Sequence, residues 1–166
     1  MLASSFLYAI ALTGASGLVA PLSVAEPSQV ANAVESCRKA TSPGAVDSGR
    51  LSADGWQVAA SASPTISAYR HDTSKAVIMT LAAPLNGSCL VRARLRDAAQ
   101  VEAAASLIDQ LVGKTGQGKP TDAAYRFWRK GREVVGMERF DDGPGSPPHV
   151  IQIAVGKLPP APKESR

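Results

Sequence analysis

Histidine and cysteine are scarce in this sequence, and their scarcity excludes several kinds of site. The 166 residues include only two histidines, His71 and His149, and two cysteines, Cys37 and Cys89. A zinc or copper site needs three or four such ligands in close array, so we predict no metal site. A Cys–His nucleophilic pair is also disfavoured, because we expect both thiols to be joined in a disulfide. The sequence therefore predicts no catalytic residue set and no cofactor.

Runs of like charge are also missing. Eighteen lysines and arginines stand against fourteen acidic residues, which gives a formal net charge of +4, and the basic residues are scattered. Nucleic-acid binding proteins usually show a clustered basic patch or stripe, so we expect no nucleic-acid partner. The hydrophobic fraction of 45% is typical of a globular protein, and this length is sufficient for one domain with its own core.

The N-terminal 25 residues lack charged side chains. No charge occurs from Leu2 to Ala25, and residues 6–12 form an apolar core of the length found in export signals. Ser23-Val24-Ala25 places small residues at the two positions that a signal peptidase reads, so we predict a signal peptide over 1–25. The alternative is an N-terminal membrane anchor, because about 20 uncharged residues can span a bilayer. The first interpretation predicts a periplasmic or secreted protein without a membrane span after cleavage.

The two cysteines agree with export. A small, even number of cysteines in an exported chain predicts one disulfide, here between Cys37 and Cys89. Two buried free thiols are the alternative interpretation. We favour the disulfide, because each cysteine falls on the inward side of its own predicted element. Cys37 shares a helical stripe with Val30 and Val34, and Cys89 alternates with apolar residues of a strand.

The hairpin from Ala76 to Asp97 is the expected centre of the fold. Its first arm, 76–81, is apolar at nearly every position, which is typical of a strand covered on both faces. Asn86-Gly87 predicts the tight turn. Alternation in the return arm predicts a core face with Cys89, Val91, Ala93 and Leu95, and a mostly solvated face with Leu90, Arg92, Arg94 and Arg96.

Two stretches show helical periodicity. The first runs from Pro27 to about Lys39. The second follows Asp97, whose carboxylate can cap a helix, and continues to Val112 before Gly113 ends it.

Strand patterns account for most of the remaining chain. An alternating stretch begins at Gly55 with Trp56, Val58 and Ala60 on one side, and Ser63-Pro64 either bends it or divides it into two short strands. Further strands are predicted at 65–71, 123–130, 132–140 and 150–155, and residues 40–54 are predicted to be an irregular connection.

These elements predict an α+β fold with an antiparallel sheet of about six strands and two helices on one face. Each half of the chain contains one helix followed by three strands. Ala68-Tyr69-Arg70 recurs as Ala124-Tyr125-Arg126, which suggests an internal α-β-β-β duplication. We predict a single domain over 26–156 and a disordered C-terminal tail over 157–166.

Two basic segments form the candidate binding surface. They comprise Arg92, Arg94 and Arg96 in one strand and Tyr125, Arg126, Trp128 and Lys130 in another. An aromatic side chain flanked by cations on an open sheet face suits an anionic or aromatic partner. Alternatively, Trp128 covers the sheet edge and its basic neighbours are merely solvated.

Three functions are compatible with these patterns. The first is a non-catalytic exported module that binds a protein, an envelope component or a small ligand. The second is a small exported enzyme whose site assembles only in space, with Tyr69, His71, Asp72 and Tyr125 as the first candidates. The third is an inhibitor or immunity-type partner of another exported protein. The sequence favours the binding module, because no acid, base and nucleophile occur at usable spacing.

Overall fold

The computed structural model describes residues 22–63, 66–81, 88–113, 125–139 and 149–160. Within these ranges the protein contains a seven-stranded antiparallel sheet, a separate two-stranded hairpin and three helices. This arrangement confirms the predicted α+β class. None of the described helices combines the length and the apolar character needed to cross a membrane.

The elements are named in chain order. They are α1 (Pro27–Ala40), β1 (Thr41–Ser42), β2 (Ala45–Val46), α2 (Ser48–Ala53), β3 (Gln57–Ser63), β4 (Ile66–Arg70), β5 (Val77–Leu81), β6 (Ser88–Arg94), α3 (Ala98–Val112), β7 (Tyr125–Lys130), β8 (Glu133–Arg139) and β9 (Val150–Lys157). The long strands lie in the order β3-β4-β5-β6-β9-β8-β7, and β1 pairs only with β2. The seam between β6 and β9 therefore joins the first part of the sheet to the second.

The sequence-based assignment of the strands at this end of the sheet needs one correction, in the edge strand β3. Of the two alternatives for the stretch that begins near Gly55, division into two strands is confirmed, because β3 ends at Ser63 and β4 begins at Ile66. The described sheet consequently has seven strands. Within the edge strand β3 the predicted alternation is wrong. Trp56 precedes the strand and is buried, whereas Val58 is 62% exposed next to a shift in strand register. The side chain of Ala60 is not among those that the structure describes. The predicted Asn86-Gly87 turn lies outside the described residues.

The connection over 40–54 is also more regular than predicted. It contains the β1–β2 hairpin and the helix α2. Asp47 caps α2 by accepting hydrogen bonds from the backbone amides of Gly49 and Arg50, and the helix buries Leu51 completely. Such short elements carry too few apolar residues to establish a period in the sequence.

The C-terminal boundary of the fold lies later than predicted. β9 continues to Lys157, and the amide of Leu158 donates to the carbonyl of Arg132 at 2.8 Å. Arg132 Nε donates in return to the carbonyl of Leu158, also at 2.8 Å. The ordered chain thus extends into the predicted tail, of which 161–166 lie outside the described residues.

Two three-stranded units make up most of the sheet. β4-β5-β6 and β9-β8-β7 meet at their last strands, which is the layout expected from an internal duplication. Tyr69 and Tyr125, the central residues of the two tripeptides, however, do not fall in the same row of the strand register. Tyr69 is buried in the core beneath the helices, and the strand register places Arg126, not Tyr125, in the same row across the sheet. Duplication therefore stays a prediction.

The helices α1 and α3 pack against each other and against one face of the sheet, which we call the helix face. α1 begins with Pro27, and the Gln29 side chain accepts a hydrogen bond from the Glu26 amide at 3.1 Å. The predicted cap of α3 is confirmed, because Asp97 accepts from the Gln100 amide at 2.9 Å. Gly113 ends α3 with a φ of 88°, a conformation that favours glycine.

A disulfide links this helix layer to the sheet. Cys37 in α1 and Cys89 in β6 are bonded, with their Cα atoms 5.7 Å apart, and both residues are fully buried. The predicted pairing is confirmed. The surrounding core includes Val30, Val34, Leu51, Ile78, Val91, Leu95, Ile108, Val135, Ile151, Ile153 and Val155.

Candidate functional site

The second face of the sheet is the candidate site, and we call it the open face. The buried stripe of α3, the buried Leu51 of α2 and most of the buried side chains of α1 lie in the helix-face core. No described helix contributes to the separate cluster on the open face. Among the described residues, the strands of the open face therefore carry its polar groups.

One part of the open face is apolar and buried. Val77, Met79, Leu81 and Leu90 form a cluster that Leu22 contacts. The burial of 77–81 agrees with the prediction that this arm would be covered on both faces. The solvated environment expected for Leu90 is wrong, because this side chain is fully buried. We call these four residues the apolar patch.

A polar row crosses the open face beside this patch. Arg92, Gln152 and Glu138 are direct neighbours on β6, β9 and β8. Arg92 Nη2 donates to Gln152 Oε1 at 2.8 Å, and Gln152 Nε2 donates to Glu138 Oε1 at 3.2 Å. Gln152 is only 3% exposed, so its amide is held in one orientation by both partners. The row consequently fixes a cation and a carboxylate at a defined spacing.

Small residues leave a shallow floor next to the polar row. Gly136 and Ala154 are paired on β8 and β9, and Gly156 follows on the same face. Ala154 is exposed although it lies in an interior strand of the sheet, and a methyl group added to Gly156 would meet no atom within 4 Å. The half-buried Phe127 lies opposite Gly136 and forms one border. We call Gly136, Ala154 and Gly156 the small-residue floor.

Positive charge predominates among the described strand residues around this floor. By strand alternation, the charged residues of the open face are Arg70, Arg92, Arg94, Arg129 and Glu138. Arg92 and Arg94 are half-buried and occupy alternate positions of β6, which places their Cα atoms about 7 Å apart. Two cations at this spacing on a sheet favour a partner with anionic groups.

The predicted binding surface is divided between the two faces. Arg92 and Arg94 lie on the open face, as predicted. Arg96 lies beyond the end of β6, where its side chain pairs with Glu26 at 3.4 Å. The side chain of Tyr125 lies outside the described part of the chain.

Trp128, Arg126 and Lys130 belong to the opposite face. Trp128 is 3% exposed, and its indole N–H donates to the carboxylate of Asp109 in α3. It is a core residue, so its assignment to an exposed binding surface is corrected. Arg126 forms an ion pair with Glu102 of the same helix. The strand carries these side chains to the helix face because they alternate with Phe127 and Arg129.

The candidates for an enzyme site do not converge. Tyr69 is 4% exposed within the core, and Asp72 is exposed in the turn after β4. His71 Nδ1 accepts from the Thr73 amide at 3.2 Å, and its ring contacts Trp56 edge-on at a centroid distance of 5.4 Å. Tyr125 belongs to β7, at the other edge of the sheet from β3 and β4. A catalytic site shared by these residues is not supported.

Among the described ion pairs, those of Arg38 are the least exposed, and they connect elements of the fold. Arg38 of α1 donates to Glu133 at 2.5 Å, to Glu35 at 2.6 Å and to the carbonyl of Leu111 at 3.1 Å. Burial lowers the pKa of Arg38, but the hydrogen bonds and charges of Glu133 and Glu35 outweigh this effect and hold its pKa above the ordinary value. The permanently charged guanidinium therefore ties α1 to α3 and β8.

Five residues of the polar row and the small-residue floor were not predicted from the sequence, namely Gly136, Glu138, Gln152, Ala154 and Gly156. Alternation along β8 and β9 could have placed them on one face, but their position beside Arg92 depends on pairing between distant segments.

Among the described residues, no three or more His, Cys, Asp and Glu side chains are grouped to hold a metal ion. Comparisons with protein-family models, curated proteins and solved structures find no match to this chain.

Proposed function

We propose that the protein is an exported, non-catalytic binding module that takes an acidic, extended segment of a partner protein on its open face. The observation that carries this proposal is the small-residue floor beside the fixed row of Arg92, Gln152 and Glu138. A floor without bulky side chains admits an extended chain lying parallel to β6 and β9, and the neighbouring arginines supply the opposite charge.

The spacing of the arginines supports an extended partner. Side chains two residues apart in an extended peptide are separated by about 7 Å, which is also the separation of Arg92 and Arg94 along β6. A partner with acidic residues at alternate positions therefore presents its carboxylates at matching intervals. Phe127 offers an apolar contact at the border of the same floor.

The disulfide and the N-terminal segment support export. A buried disulfide persists in oxidising compartments and is rare in reducing ones. The uncharged N-terminal stretch with its apolar core has the pattern of an export signal. Together they favour a periplasmic or secreted location.

A direct binding measurement tests this function. The probe is a synthetic peptide of alternating glutamate and serine, and the matched negative probe contains lysine in place of glutamate. We expect the purified, oxidised protein to bind only the acidic peptide, with an affinity that falls as salt rises. The proposal is wrong if both peptides bind equally or if neither binds.

Two matched variants locate the binding surface. Ala154 and Ala103 are both exposed, one on the small-residue floor and the other on α3. Ala154→Glu places a bulky negative charge on the floor and should weaken acidic-peptide binding at least about tenfold, equivalent to about 1.4 kcal/mol. Ala103→Glu adds the same group to the helix layer and should leave the affinity unchanged. Equal losses in both variants would exclude the open face as the site.

A further inference from the structure

The segment Leu22–Ala25, which precedes α1 and its cap Glu26, forms a strap around the end of the sheet. Ala25 is fully buried in the helix-face core, and its amide donates to the carbonyl of Arg94 at 2.8 Å. Val24 forms a parallel bridge with the same arginine. Three positions earlier than Ala25, Leu22 packs against the apolar patch of the open face. The strap, Leu22–Ala25, thus contacts both faces of the sheet.

The strap contributes to packing that the rest of the described chain does not replace. Removal of Ala25 would open a space in the core where its side chain is fully enclosed. Removal of Leu22 would take away an apolar contact from Val77, Met79, Leu81 and Leu90. A chain that began at Glu26 would lack both contacts and would lose the hydrogen bond to Arg94.

A start at Glu26 would also place a charged amino group at an unfavourable position. Glu26 caps α1, and its backbone nitrogen lies at the helix N-terminus, where the helix dipole is positive. A free ammonium group there would be repelled by the dipole, whereas the peptide bond to Ala25 is neutral. We therefore expect a chain that begins upstream of Leu22 to fold into a more stable domain than one that begins at Glu26.

The sequence offers a second cleavage site in that upstream region. The apolar core of the leader, 6–12, is followed directly by the small and polar residues Thr13-Gly14-Ala15-Ser16-Gly17. Ala15 and Gly17 occupy the two positions at which a signal peptidase requires small side chains if the cut follows Gly17. The Ser23–Ala25 site is separated from the apolar core by many more residues.

We propose that the export peptide ends after Gly17, and that the mature protein keeps Leu22–Ala25 as an integral strap of the domain. This inference rests on export, which belongs to the proposed function, but it is independent of what the open face binds. It revises the cleavage site expected from the sequence alone.

The test is the N-terminus of the exported protein. The full chain with its own leader is produced in a bacterium that has a periplasm, and the exported fraction is examined by N-terminal sequencing and intact mass. We expect the mature chain to start at Leu18. A start at Glu26 overturns the inference while export stands, and an uncleaved chain retained in the cytoplasm overturns both.

Two leader variants identify the residue that the peptidase reads. Gly17→Leu should abolish the Leu18 start and cause precursor to accumulate, because a large residue now precedes the cut. Ser23→Leu is the matched control, because Ser23 is exposed and stands at the other position read for a cut before Glu26, and its exported product should still begin at Leu18. Accumulation of precursor in Ser23→Leu, with normal processing in Gly17→Leu, would contradict the proposal.

A stability comparison separates the strap's structural role from processing. Chains that start at Leu18 and at Glu26 are produced without a leader, oxidised and melted under the same conditions. We expect the Glu26 chain to unfold several degrees lower, or not to fold at all, because it lacks the strap. Equal melting temperatures would show that the strap adds nothing and would overturn this part of the inference.

Discussion

Cys37 and Cys89 join the C-terminal half of α1 to β6 at the seam between the two halves of the sheet. Their Cα atoms lie 5.7 Å apart, and Cys89 is paired across the seam with Val155 of β9. The bond links residues separated by 52 positions in the sequence. One covalent cross-link therefore anchors the helix layer to the middle of the sheet.

The first prediction concerns the contribution of this disulfide to stability. Cross-linking a loop of this length reduces the entropy of the unfolded chain, and the loop-closure relation gives about 4 kcal/mol. The double variant Cys37→Ala/Cys89→Ala should therefore lose about 4 kcal/mol in the free energy of unfolding measured with urea. The wild-type protein, when its disulfide is reduced before urea unfolding, should show the same lowered free energy of unfolding. A loss below about 1 kcal/mol in the variant would contradict the prediction.

The second prediction concerns the two tryptophans. Trp56 and Trp128 are each 3% exposed, and both indole N–H groups are hydrogen-bonded to side chains. We expect blue-shifted emission in the native protein and little quenching by iodide, because an aqueous quencher cannot reach buried rings. Trp128→Phe should leave the remaining emission equally protected. Strong quenching in wild type that disappears in Trp128→Phe would indicate an exposed Trp128 and contradict the structure.

The third prediction concerns the acidic partners of Arg38. The Glu133 side chain is 14% exposed and that of Glu35 is 34% exposed, so the bond to Glu133 is better shielded from water. Glu133→Gln should reduce the free energy of unfolding by about 2 kcal/mol, and Glu35→Gln by about 0.5 kcal/mol. Urea unfolding of both variants measures the difference. The reverse order, or equal losses, would not fit this geometry.

The fourth prediction concerns the start of α3. Asp97 satisfies the Gln100 amide, which has no partner within the helix. Asp97→Ala should lower the free energy of unfolding by about 1 kcal/mol. Asp72→Ala, which removes an exposed carboxylate outside any helix, serves as the control and should change stability by less than about 0.5 kcal/mol. Equal losses of unfolding free energy in Asp97→Ala and Asp72→Ala would contradict the capping role of Asp97.

Local patterns in the sequence predicted the parts of the fold that depend on neighbouring residues. The helical stripe through Val30 and Cys37 indicated the inward side of α1, and the alternation through Cys89 indicated the core face of β6. Together with the small, even number of cysteines and the export signal, these two inward-facing patterns favoured the disulfide that the structure contains. The buried side chains of β3 were predicted less well. In an edge strand with register shifts, buried and exposed residues do not alternate regularly.

The site depends on contacts that local patterns do not contain. Arg92 and Gln152 are 60 positions apart in sequence, and only the pairing of β6 with β9 makes them neighbours. Trp128 was misplaced for a related reason. Alternation separated it correctly from Phe127, but the sequence did not indicate which of the two faces the helices would cover.

A nuclear magnetic resonance titration tests whether an acidic peptide binds on the open face. ¹⁵N-labelled, oxidised protein is titrated with the alternating glutamate–serine peptide, and the amide shifts are mapped onto the described residues. The account predicts saturable shifts at Arg92, Gly136, Gln152 and Ala154, with no change at Ala103 on α3. Shifts confined to the helix layer, or the absence of any saturable shift, would contradict it.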